Sequence, residues 1–67
     1  MEIYIPYHDH NRWNIQTADG EETRRIGSYW EYRGTIYGLT AYTTYEGAQA
    51  YIEKRYHEAE QSEYRKV

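Results

Sequence analysis

The chain has no cysteine, no phenylalanine, one proline and one methionine. It also has a single leucine, Leu39, and a single valine, Val67. Without cysteine there is no disulfide framework and no thiolate metal site, which fits a reducing, cytoplasmic setting. No apolar run approaches the roughly 20 residues that span a bilayer. The opening "MEIYIPYHDH" lacks a basic region followed by a long apolar segment, so neither a signal peptide nor a membrane partner is expected. An excess of positive charge is missing as well. The net charge is −3, whereas general nucleic-acid binders carry a basic patch on a basic domain. Positions 1–45 and 46–67 are both mildly acidic, so charge is not segregated along the chain.

What the chain has instead is tyrosine. Ten tyrosines and two tryptophans make up all its aromatic surface, and "SYWEYRGTIYGLTAYTTY" concentrates them between Ser28 and Tyr45. A chain of 67 residues is expected to form one domain, residues 1–67, with a marginal core. Six isoleucines and a few alanines cannot fill that core alone, so some rings must be structural. Ten phenols exceed what so small an interior absorbs, because each buried hydroxyl needs a partner. The surplus is expected at the surface.

Strand periodicity dominates up to Tyr42. "EIYIPY" alternates Ile3, Ile5 and Tyr7 against Tyr4 and Pro6, with Pro6 placing it at an edge or near a strand end. "HDHN" reads as a loop. "RWNIQT" alternates Trp13, Ile15 and Thr17 against Arg12, Asn14 and Gln16. Asp19-Gly20 is a hairpin signal. "TRRIGSYWEY" reads as one strand, with Ile26, Ser28, Trp30 and Tyr32 on one face. Arg33-Gly34 marks the next turn. A two-residue turn there would set Glu31 opposite Ile36. A bulged loop with Gly34 in the left-handed region would set Trp30 opposite Ile36 and Tyr29 opposite Tyr37, pairing apolar with apolar, and is preferred. The period then becomes helical. Thr43 and Glu46 form an S/T-x-x-E capping box, and Tyr45, Ala48, Ile52, Tyr56 and Ala59 make one stripe. The expected fold is α+β, in β-β-β-β-α order: a small antiparallel sheet of three to four strands covered on one face by a C-terminal helix.

"YGLTAYTTYEGAQAYIEK" resembles the last strand and helix of small β-β-β-α DNA-binding domains of the plant AP2 and integrase arm-binding types. That resemblance implies a basic sheet reading a major groove. "ADGEE" and "WEY" put acids there instead, so no DNA-reading residue carries over.

His8-Asp9-His10 presents two imidazoles at i and i+2, with His57 as a third ligand if the helix lies near, but H-x-H alone falls short of a zinc ligand set. No metal or cofactor is expected. No catalytic residue is expected either: Ser28 and Ser62 lack a nucleophile elbow, and Glu21-Glu22 sit solvated beside a turn. Arg24, Arg25 and Arg33, interleaved with rings, have the composition of a single-strand nucleic-acid surface. The acidic balance favours cross-strand pairing of those arginines with Glu21, Glu22 or Glu31.

The favoured reading is a protein-binding surface, since tyrosine, tryptophan and arginine are the usual interface anchors. Tyr4, Tyr29, Tyr37 and Tyr42 are expected on the sheet face away from the helix, with Glu31 and Arg33 among them. Self-association through that face would make a homodimer. In length, acidity and aromatic content the chain is similar to phage- and plasmid-encoded inhibitors, anti-CRISPR proteins among them. That resemblance implies an inhibitor or adaptor that blocks a nucleic-acid-handling host enzyme. Asp19, Glu21 and Glu22 would then mimic phosphates toward a basic groove.

Overall fold

The computed structural model of the chain describes the backbone of residues 1–66 and the side chains of residues 1–55. It is an α+β fold of five strands and a C-terminal helix: β1 (Glu2–Asp9), β2 (Arg12–Asp19), β3 (Thr23–Ile26), β4 (Tyr29–Tyr32), β5 (Thr35–Gly38) and α1 (Tyr45–Lys66). All strand pairing is antiparallel, as expected. The strands form two sheets, β1-β2 and β3-β4-β5.

Three two-residue turns explain most of this. The register closes on Asp9 with Arg12, Ile26 with Tyr29, and Tyr32 with Thr35. Every residue with positive φ among His10, Asn11, Gly27, Arg33 and Gly34 lies in one of these turns. Two-residue hairpins favour such conformations because their twist matches that of the flanking strands. The "HDHN" loop is thus a tight His10-Asn11 turn, and β1 extends to Asp9. The single strand expected over 23–32 is cut in two by Gly27-Ser28, a glycine-first turn. Asn11→Gly should stabilise the fold by about 1 kcal/mol, since glycine takes positive φ without a Cβ clash. A thermal melt should rise by about 4–8 °C; no rise would show that the strain assigned to this turn is absent.

Asp19-Gly20 does not turn a β2–β3 hairpin. Asp19 instead caps a single 3-10 turn, Gly20–Glu22, its carboxylate accepting the Glu21 N–H at 3.0 Å. Thr23 Oγ1 donates to the Gly20 carbonyl at 2.9 Å and fixes the exit. The chain therefore leaves one sheet and starts another.

The sheets meet again further on. Tyr4 and Tyr42 exchange two backbone hydrogen bonds of 2.8 Å each, joining the continuation of β5 to β1. Ile3, Ile5 and Ala18 are buried between the sheets, with Trp30, Tyr32, Tyr37 and Ala41 packed around them. The alternate face of β1-β2 carries Tyr4 and Trp13 to the helix, where Ala48 is fully buried. The β1-β2 hairpin is thus the middle layer.

The helix starts one residue later than its expected cap. Thr44, not Thr43, is the N-cap: its Oγ1 accepts the Gly47 N–H at 3.1 Å, and its carbonyl accepts the Ala48 N–H at 3.3 Å. Glu46 then stands too early in the first turn to close a capping box. Of the expected stripe, Ala48 is buried and Ile52 half-buried, while Tyr56 and Ala59, like His57, lie outside the described side chains. Among the described residues no helix is long and apolar enough to cross a membrane.

Candidate interaction surface

The Arg33-Gly34 turn decides which residues face outward. Arg33 at φ 50° and Gly34 at φ 83° form a two-residue turn, so Glu31, not Trp30, stands opposite Ile36. The irregularity comes one step later. Trp30 pairs with Gly38, which leaves Tyr37 as an extra residue in β5. The glycine thus serves the turn itself, and the bulge lies in the strand. Tyr37 does not face Tyr29. Its ring packs on Tyr7 at 5.0 Å and near Tyr32 at 6.4 Å.

Tyr4 and Tyr42 also depart from the expected open face. The Tyr4 ring meets Tyr45 edge-on at 6.0 Å, and Tyr42 meets Tyr51 at 6.0 Å. Both tyrosines therefore lie against α1, because the face of β1 opposite the buried isoleucines is the helix side. Tyr51 also meets Trp13 at 6.0 Å; the sequence pattern favoured Ile52 as the stripe residue and passed over this ring.

What remains outward on β3-β4-β5 is a patch of Ile26, Tyr29, Ile36 and Leu39, exposed at 41%, 50%, 54% and 45%. The sequence pattern places Ile26 on the face of Trp30 and Tyr32 and pairs Ile36 with Trp30, and neither holds. The Gly27-Ser28 turn restarts the alternation and places Ile26 beside Tyr29, while the two-residue turn at 33–34 swings Ile36 outward. Tyr29, Ile36 and Leu39 continue into a groove of about 340 Å³ that reaches Pro6, Tyr37 and Trp13. None of the eight tyrosines with described side chains is buried. Seven of them make ring contacts with other aromatic residues, and Tyr29 alone makes none among the described residues.

Charge around the patch is paired. Arg24 Nε donates to Glu31 Oε1 at 2.9 Å, across the strands and on the outward face. Arg33 Nη2 reaches Glu22 Oε2 at 3.4 Å and its guanidinium lies over the Tyr32 ring at 5.2 Å. The Arg25 guanidinium lies over Trp30 at 5.4 Å. The three arginines of the nucleic-acid reading are thus held by acids or rings within the chain and do not form one basic cluster. Asp19, Glu21 and Glu22 gather at the 3-10 turn as an exposed acidic corner. The Glu21 N–H, and the Met1 ammonium 3.6 Å away, hold the Asp19 carboxyl below its ordinary range.

His8 and His10 do not converge. His8 meets Trp13 edge-on at 5.2 Å, while His10 sits in the turn 3.5 Å from Asp9. Among the described residues no group of three or more potential ligands is placed to hold a metal ion.

No protein-family model matches this chain, and neither curated proteins nor solved structures give a match.

Proposed function

We propose that this chain is a non-enzymatic protein-binding domain that docks through the outward face of β3-β4-β5. The observation that carries the reading is the contiguous exposure of Ile26, Tyr29, Ile36 and Leu39. A small protein seldom leaves several large apolar side chains together in water without a use for them. Tyr29 is a rigid ring with a hydrogen-bonding tip, held on a strand and unspent on its neighbours, which suits an interface anchor. The Arg24–Glu31 pair beside it supplies a polar border.

Within that reading the chain acts as an inhibitor or adaptor in the style of phage-encoded anti-CRISPR proteins, in the cytoplasm, by steric blocking of a host enzyme. The acidic corner of Asp19, Glu21 and Glu22 supports a partner with a basic groove. Nothing in the arrangement of Arg24, Arg25 and Arg33 favours nucleic acid over protein.

Joint replacement Tyr29→Ser and Ile36→Ser should reduce capture of a partner from host lysate at least tenfold, as expected for anchors worth 2 kcal/mol or more. Both side chains are about half exposed, so the circular dichroism spectrum should stay unchanged. Capture that survives the double change would remove the outward face from consideration. Capture that disappears on nuclease treatment would replace protein with nucleic acid as the partner.

A further inference from the structure

The outer edges of β1 and β5 meet where the sheets join, at Tyr4 and Tyr42. That leaves two strand edges without a neighbour among the described residues, β2 and β3. They differ in kind. β3 has four residues and carries Arg24 and Arg25, and a short, charged edge resists pairing. β2 has eight residues, and positions 13–18 hold no charge, no proline and no glycine. An open edge of that kind is a template for another strand. We propose that two copies of this chain associate edge to edge through β2, antiparallel about a two-fold axis at Ile15.

The bonding of β1 fixes which backbone groups of β2 are free. Tyr4 gives both its N–H and its C=O to Tyr42, so it turns away from β2, and so does Thr17 opposite it. Bonding direction alternates along an antiparallel ladder, so the pairs Pro6–Ile15 and His8–Trp13 also turn outward. Pro6 agrees, since it has no N–H to offer Ile15. Trp13, Ile15 and Thr17 therefore present N–H and C=O at the open edge. The Thr17 carbonyl there accepts Gln16 Nε2 at 2.9 Å, an exposed bond between adjacent residues. It leaves the carbonyl a second lone pair, and the amide can exchange it for a partner across the new ladder. About Ile15, the two Ile15 residues exchange both backbone bonds, and Trp13 of each copy exchanges both with Thr17 of the other. The Asn14 amide then faces the Gln16 amide of the second copy.

Every position of this ladder, 12–18, is strand in both copies. Parity allows the register to slide only in steps of two. Centred on Asn14, the ladder runs into the His10-Asn11 turn and shortens. Centred on Gln16, it sets Trp13 against Asp19, whose carboxylate already caps the 3-10 turn. The Ile15 register instead stacks Ile15 on Ile15 and brings the Arg12 end of each strand beside the Asp19 end of the other. The two hairpins become one four-stranded sheet with both helices on the same face. Each α1 rises over β1, where Tyr45 meets Tyr4. The two β1 strands stand three strand spacings apart, about 14 Å, wider than the roughly 8–10 Å between packed helices. The outward face of β3-β4-β5 takes no part, so the association stands or falls apart from the docking role proposed above.

Sedimentation and cross-linking of the full chain test it. At high concentration the mass should reach twice the 8.2 kDa of one chain and stop there, since pairing consumes the edge that drives it. Thr17 is exposed and its N–H serves no bond within the chain. Thr17→Pro removes that edge donor from both copies and should raise the dimer dissociation constant by about tenfold or more. Thr17→Val keeps the N–H and should leave it unchanged. Circular dichroism and a melt confirm that both variants are folded. The chain has no cysteine of its own, so introduced thiols report the register. Position 14 of one copy and 16 of the other form a non-hydrogen-bonded pair with Cα atoms about 4.5 Å apart, within disulfide reach. An equal mixture of Asn14→Cys and Gln16→Cys chains should cross-link under mild oxidation at least tenfold faster than either chain alone. A chain that stays monomeric, a larger assembly, a dimer indifferent to Thr17→Pro, or a mixture no faster than its components would each overturn the proposal.

Discussion

Ile5→Ala should cost about 2–5 kcal/mol of folding stability. Ile5 is fully buried, and only Ile3, Pro6, Ala18 and Ala48 accompany it as buried apolar side chains among those described. At about 0.05–0.15 kcal/mol per residue, a chain of 67 residues has a total of only about 3–10 kcal/mol to lose. The loss should sit at the upper end of its range, because a cavity costs most where its walls cannot close. Here the walls are two hydrogen-bonded sheets, with Trp30, Tyr32 and Tyr37 packed on the buried cluster and the Tyr37 ring already propped against Tyr32 and Tyr7. Urea or thermal unfolding measures the effect, at about 4–8 °C of melting temperature per kcal/mol. Ile36→Ala is the control. The same side chain, half exposed on the outward face, should change stability by less than about 0.5 kcal/mol. Equal losses at the two sites would mean that the core does not lie between the sheets.

Gly38→Ala should be nearly as damaging, for a different reason. A Cβ at position 38 would lie well inside van der Waals contact with the Pro6 carbonyl oxygen, and 3.3 Å from Ile5 Cγ2. The obstacle is backbone, so no side-chain rotation relieves it. The two strands must separate where β5 crosses β1, just before the Tyr4–Tyr42 hydrogen bonds. Overpacking of this kind costs about 1–3 kcal/mol. Amide exchange locates the damage: the Tyr4 and Tyr42 N–H groups should lose protection while those of the β1-β2 hairpin keep theirs. Full protection at both tyrosines would show that the crossing is looser than its geometry indicates.

The elements most legible in the sequence were those with a long, unbroken period. β1, β2 and α1 emerge from alternation and helical spacing because each exceeds one turn signal in length. What stayed hidden was set by single residues at turns. Gly27-Ser28 looks like a strand interior until the chain reverses there, and with it Ile26 moves from core to surface. Arg33 carries no intrinsic preference for positive φ, so a register that pairs Trp30 with Ile36 reads better on hydrophobic grounds than the one adopted. The bulge at Tyr37 then recovers the inward placement of Trp30 without Ile36. The candidate surface suffered most from this. Tyr29 and Glu31 stand on the outward face because they follow the parity of β4 alone. Tyr4, Tyr37 and Tyr42 were misplaced because their positions depend on how the sheets join. Ile26, Ile36 and Leu39 were missed because sequence gives no reason to leave them in water. The surplus of tyrosine was read correctly as a surplus, yet most of it is spent ring against ring, half in and half out.

The three tight turns also bear on the route by which the chain reaches this shape. Every strand within either sheet pairs with its immediate neighbour in the chain, so each hairpin can zip from its own reversal on the microsecond scale, with little loop entropy to overcome. One closure, between Tyr4 and Tyr42, spans most of the strand region. It has to await the hairpins, and it is the step at which chain topology sets the pace of assembly.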